Sequence, residues 1–210
     1  MRKFLAIILA ALMMLTFASC GNNTNDGAET TAPETEAENN EETKAENDSA
    51  ATDAEGAIAV LNTIWGKYAE EEKFPCGGGD SENMNFEGPA AFNVANTEEL
   101  DATLGLPASL AGELDSAASF MHMMNANTFT GACYGVKEGT DVAVFAETLK
   151  TNILSRQWMC GIPETLVIIN IDGEYVLSAF GAADIIETLK TNVTAAYSSA
   201  AVVVETAVVE

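Results

Sequence analysis

Met121-His122-Met123-Met124 gathers three thioethers and the only histidine of the chain into four consecutive positions. Thioether and imidazole ligands together suit a soft ion such as copper(I). Read as a strand, the segment sends alternate side chains to opposite faces, so His122 and Met124 point one way and Met121 and Met123 the other. A copper site would then need a further sulfur from elsewhere, and Cys133, Met159 and Cys160 are the sources. His122, Met124 and Cys133 are the candidate metal ligands, set against the alternative that the methionines fill irregular gaps in a core. There is no CxxCH haem-attachment sequence, and no cofactor is expected.

Any mechanism of the Ser-His-Asp or Cys-His type must also use His122, which sits in a methionine-rich strand rather than on a loop where catalytic groups more often project. Carboxylates are plentiful, but no spacing brings two of them into one apolar pocket with separated pKa values. The triplet Gly77-Gly78-Gly79 lacks the GK[ST] or GxGxxG context of a phosphate loop, so it reads as part of a flexible exposed loop running to Gly88. Asp80, Glu82 and Glu87 in that loop could hold calcium, yet Met84 stands where the EF-hand pattern needs its fifth-position ligand. Arg156, Gln157 and Trp158 could line a ligand groove at a helix end, or form a core rim with an ion pair. Besides Cys20 there are three cysteines. At most one intramolecular disulfide can form among them, and Cys76 with Cys160 is the pairing expected if one exists, each preceding a glycine at an element end.

Helical and strand periodicities supply the elements that must position these groups. Thr52-Asp53-Ala54-Glu55 opens a possible capping box, and Ile58, Leu61, Ile64, Trp65 and Tyr68 follow at helical spacing, so a helix is expected to end near Lys73. Two short helical segments are predicted near Thr97 to Leu104 and Pro107 to Leu114. Phe120 to Met124 and Phe129 to Val136 read as a hairpin across Asn125-Ala126-Asn127-Thr128. Thr140-Asp141 then caps a helix with Val142, Phe145, Leu149 and Ile153 on one face, stopped by Cys160-Gly161-Ile162-Pro163.

The pattern recurs. Leu166 to Ile171 and Tyr175 to Phe180 flank an Asp172-Gly173 turn, a strong hairpin signal. A helix with Ile185, Ile186, Leu189, Val193 and Tyr197 follows. Residues 147 to 152 and 187 to 192 are both Glu-Thr-Leu-Lys-Thr-Asn, at the same place in the two helices. Two β-β-α units are inferred. The expected fold is α+β: a four-stranded antiparallel sheet with the helices packed mainly on one face, preceded by an N-terminal helix. On that reading Leu149 and Leu189 are buried against the same sheet face, while Lys150 and Lys190 reach solvent. Val167, Ile169 and Ile171 alternate with Leu166, Ile168 and Asn170, a strand apolar on both sides, so part of the second face must also be covered. Val202 to Glu210 could extend the last helix or add a strand, because its valines favour one and its alanines the other.

The N-terminal stretch sets the compartment. Arg2 and Lys3 precede the apolar run Phe4 to Phe17, then Ala18-Ser19-Cys20, which is the order of a secretory signal ending in small residues. The run is shorter than the roughly 20 residues a membrane-spanning helix requires. Cys20 directly after the small residues resembles the lipobox of bacterial lipoproteins, with Phe17 in place of the usual Leu; the resemblance implies a diacylglyceryl group on Cys20. Residues 1–19 are then a signal peptide. Residues 20–53 are the lipidated cysteine and a disordered acidic tether, poor in aliphatic and aromatic residues, and 54–210 a single domain. Removing Arg2 and Lys3 takes the formal charge from −23 to −25, a field that repels nucleic acid and anionic headgroups.

The hairpin with Met123-Met124, the helix with Leu149-Lys150 and Arg156-Gln157, and the hairpin with Gly173-Glu174-Tyr175-Val176 resemble an uncharacterised family of small acidic lipoproteins of Gram-positive bacteria, over about Ala117 to Gly181. That resemblance implies surface anchoring and fold, and no functional residue. The expectation is a membrane-anchored extracytoplasmic lipoprotein whose partners are the membrane, through Cys20, and a protein, peptide or small-molecule ligand bound without catalysis. A copper-handling lipoprotein using a Met/His/Cys site is the alternative, and a hydrolase a third.

Overall fold

In the computed structural model, residues 55–124, 128–159 and 161–208 are described. They form an α+β domain whose strands pair entirely antiparallel. The first helix, α1 (Ala57–Trp65), starts later than its sequence suggests. Thr52 and Asp53 lie outside the described residues, and the cap is Gly56 at φ 70°. A Cβ there would stand 2.7 Å from Ser116 Oγ, the same oxygen that accepts the Ala57 N–H at 3.0 Å. Only glycine meets both demands.

Among the described residues the sheet has seven strands rather than four. The two expected hairpins are present as β3 (Leu114–His122) with β4 (Phe129–Val136), and β5 (Thr165–Ile171) with β6 (Tyr175–Gly181). Asp172 and Gly173, at φ 55° and 75°, are the central residues of the turn that the Glu174 N–H closes on the Ile171 carbonyl at 3.1 Å, and three residues separate the paired Ile171 and Tyr175. Beyond these four, β1 (Cys76–Gly77) and β2 (Ala90–Phe92) both pair with β3 at one edge, and β7 (Ala201–Ala207) closes the other beside β5. The spatial order is β1-β3-β4-β6-β5-β7. The segment β3 begins six residues before the expected start, because Asp115-Ser116-Ala117-Ala118-Ser119 lacks the β-branched and aromatic residues that announce a strand. Two-residue and three-residue strands are too short to show any alternation.

Between the strands lie α2 (Thr97–Glu99), which continues as a π-helical turn over Leu100–Leu104, then α3 (Ala108–Ala111), α4 (Val142–Leu154) and α5 (Ala183–Ala196). Asp141 caps α4 as expected, accepting the N–H groups of Ala143 and Val144.

The helices divide between the two faces of the sheet, which corrects the one-sided arrangement. Ala57, Leu61 and Ile64 of α1 pack with Ile186, Leu189 and Val193 of α5 against Val167, Ile169 and Leu177. Phe145, Leu149 and Ile153 of α4 pack with Leu100, Leu104 and Leu110 against Leu166, Ile168 and Val176. Leu149 and Leu189 are both fully buried, but on opposite faces, so the packing equivalence expected from the repeat does not hold. Crossover handedness supplies the reason. β4 and β5 each pair antiparallel with β6 and are thus parallel, with α4 joining them past β6; α5 likewise joins β6 to β7 past β5. Both crossovers step toward the β7 edge, but they leave strands of opposite direction, so a single hand puts their helices on opposite faces. Strand β5, apolar on both sides, is central as its sequence implied.

Candidate functional site

The end of the sheet where β1 meets β3 collects most of the chemistry-bearing residues. Cys76 lies directly across from His122, and Gly77 across from Met121. Phe74 stacks on the His122 ring at 4.9 Å between centroids and 12° between planes. His122 Nδ1 accepts the Met124 N–H at 3.0 Å, which places the proton of the neutral ring on Nε2. Burial also holds the imidazole below its ordinary pKa. The Cys76 thiol is buried and free, and burial pushes it up to about 12, far from the thiolate a nucleophile needs. Cys76 and His122 are thus a cross-strand pair in which the base already accepts a hydrogen bond and the thiol stays protonated. Sequence reasoning missed this pair, since a two-residue strand leaves no periodic signal. The Cys76–Cys160 disulfide falls on Cys160, which is outside the described residues.

The metal set His122, Met124 and Cys133 is not assembled. Cys133 is fully buried, and burial raises its pKa. It lies between Ala118 and Leu177 in the sheet, four residues along β4 from Phe129 and so about 13 Å from the His122 level. Met124 is exposed beyond the end of β3. Among the described residues no group of three or more His, Cys, Asp or Glu side chains is placed to hold a metal ion.

The glycine triplet is not an exposed loop. Gly77, Gly78, Gly79 and Asp80 are all buried. A Cβ on Gly78 would lie 2.3 Å from the Ser119 carbonyl oxygen, and Gly79 takes φ 94°. Gly78 and Asn85 exchange two backbone hydrogen bonds of 2.8 and 2.9 Å, closing a turn over Asp80 to Met84. Asp80 organises that turn: Oδ1 accepts the N–H groups of Glu82 and Asn83, Oδ2 that of Asn93 at 2.6 Å, and the Asn83 amide reaches both oxygens. Burial alone would raise the carboxyl's pKa, but these donors outweigh it and hold it below the usual range. Occupied this way, Asp80 is a structural acceptor rather than the calcium ligand considered for it, and Glu82 and Glu87 are exposed. Ser81 fixes the turn to α2 through its N–H and hydroxyl, both donated to the Glu99 carboxylate at 2.7 and 3.0 Å.

Between this turn and the end of β3 lies a cavity of about 250 Å³ lined by Gly77 to Gly79, Met84, Phe86, Met121, His122 and Met123. Met84, Phe86 and Met123 are 55%, 61% and 48% exposed around it. A second cavity of about 220 Å³ lies beside Met121, His122, Met124 and Thr128 to Thr130. No periodicity in the sequence links Met84 and Phe86 to the Met121–Met124 run. They meet it only because the turn folds back along β3.

Other predicted positions are structural. The Arg156 guanidinium donates to the Ala102 carbonyl and lies 5.2 Å above the Trp158 ring and 5.9 Å above Phe180, tying the α4 end to the π-helical turn. Gln157 is exposed. A cleft of about 480 Å³ is at the opposite end of β3 and β4, among Asp115, Lys137, Glu138, Glu174 and Tyr175; the Lys137 amine there donates to the Gly112 carbonyl.

Cys20 and the residues 1–19 expected to form a signal peptide lie outside the described residues. Among the described residues, no helix is long and apolar enough to cross a membrane. Compared with protein-family models, curated proteins and solved structures, the chain matches none of them.

Proposed function

We propose that this chain is a lipid-anchored extracytoplasmic lipoprotein whose domain binds an apolar ligand or chain segment, without catalysis, at the groove between the Gly77–Phe86 turn and the end of β3. One observation carries the reading: Met84, Phe86 and Met123 ring a cavity while largely exposed, on a chain of formal charge −23. Contiguous exposed apolar side chains mark interaction surfaces, and methionine's unbranched thioether adapts to varied partners. Against catalysis stand the protonated Cys76 thiol and the engaged His122 nitrogen. The anchoring half of the proposal rests on Arg2, Lys3, the apolar run and Ala18-Ser19-Cys20.

Titration of the purified protein with an environment-sensitive apolar dye tests the groove. The expected outcome is saturable enhancement that falls severalfold in Phe86→Ser and in Met84→Ser, with thermal unfolding little changed, since both side chains are exposed. Equal enhancement in wild type and both variants would place the binding surface elsewhere.

A further inference from the structure

Of the five methionines that follow Cys20, three line the one cavity beneath the Gly77–Phe86 turn. Met121 and Met123 reach it from the end of β3, two residues apart and therefore on the same side of the chain. Met84 comes from the turn itself, next to Asn85, whose paired hydrogen bonds to Gly78 set its position. Met123 is fixed by its N–H to the Pro75 carbonyl at 2.9 Å. Gly77 faces Met121 without a side chain, and a Cβ there would come within 3.3 Å of Met123 Cγ, a tight approach. The bare strand leaves room for the Met123 side chain along the cavity.

We propose that the thioethers of Met84, Met121 and Met123 form a binding site for one soft monovalent cation, copper(I) or its analogue silver(I). It goes beyond the apolar binding proposed for the groove: the cation sits on the sulfurs of the same cavity, and its uptake is read separately from dye binding. Thioethers carry no proton and no charge at any physiological pH, so they discriminate against calcium, magnesium and zinc and favour soft cations. Glu82 on the turn and Glu87 directly after it, both exposed, add a negative potential that draws a cation in without coordinating it. The site differs from a His122, Met124 and Cys133 set, whose members do not converge, and it needs no thiol.

Anaerobic titration of the full-length protein in detergent against a chromogenic copper(I) chelator decides it. Wild type should withdraw one equivalent of copper(I). The triple variant Met84→Leu, Met121→Leu, Met123→Leu should weaken uptake at least tenfold while keeping dye binding within twofold, because leucine preserves apolar volume. Cys76→Ser should leave uptake unchanged, and thermal unfolding of each variant establishes that it is folded. Absence of uptake by wild type, uptake by the folded triple-leucine variant equal to wild type, or loss of uptake in Cys76→Ser would each overturn the thioether site. Dye binding that survives such a result leaves the groove standing as an apolar surface; dye binding lost from wild type would instead remove the groove reading.

Discussion

Asp80 bears the heaviest structural duty of any ionisable residue near the groove, because three backbone N–H groups and one side-chain amide converge on its carboxylate. Replacing it by alanine leaves the Glu82, Asn83 and Asn93 N–H groups without that acceptor, and should cost roughly 1–3 kcal/mol in urea unfolding at pH 7. The acid limb has a definite sign. Asp80 has a lower pKa folded than unfolded, so its contribution is full above the unfolded carboxyl value of about 4 and is lost as pH falls through the folded one. Stability measured between pH 6 and pH 2 should therefore drop less steeply in Asp80→Asn than in wild type; parallel curves would show that the carboxylate is not the group being protonated. From sequence, Asp80 was legible only as an acid in a glycine-rich stretch, open to a calcium reading. Its actual donors come from Asn93 as well as from its own turn, and nothing in local spacing marks a partner thirteen residues away.

At the scale of elements, periodicity exposed both long helices and both hairpins, and the strands Phe129–Val136, Thr165–Ile171 and Tyr175–Gly181 almost to the residue, whereas β3 starts six residues early and α4 ends at Leu154, short of the stop expected at Cys160. It was silent on β1 and β2, which are short, and undecided on β7, where valine favours strand and alanine helix. The opposite-face placement of α4 and α5 makes a prediction that a one-sided sheet would not. Leu149→Ala and Leu189→Ala should each cost roughly 2–5 kcal/mol, and the double variant should equal their sum within about 0.5 kcal/mol, because the sheet separates the two cavities. A coupling well above that in denaturant unfolding would mean a shared cavity. The lysines are not equivalent either. Among the described residues Lys150 pairs with Glu147 in its own helix, whereas Lys190 bridges Glu187 and Glu205 and so links α5 to β7, raising its pKa. Neither pair contributes more than about 1 kcal/mol at such exposure.

For the whole molecule, the anchoring proposal has its own test. Cys20→Ala should abolish incorporation of labelled lipid and leave the precursor unprocessed, and label persisting in that variant would overturn it. Composition and the first twenty residues carry that inference alone, since charge, apolar run length and a cysteine after small residues are properties of the linear chain. The α+β class was determined the same way, because alternation and helical spacing are local. The strand Leu166 to Ile171, apolar on both sides, called for part of the second face to be covered but not for the helices to divide between the faces. Tertiary structure decided which helix covers which face. That choice depends on where the chain goes after α5: a step to the far edge beside β5 fixes the face through crossover hand, and no residue within α5 encodes the step. It decided the groove as well. Cys76 meets His122, and Met84 meets Met121 and Met123, only after a buried glycine turn held by Asp80 lays two residues of strand along β3. Contacts between segments some forty positions apart arise from register and turn geometry, to which the pattern of either segment alone is blind.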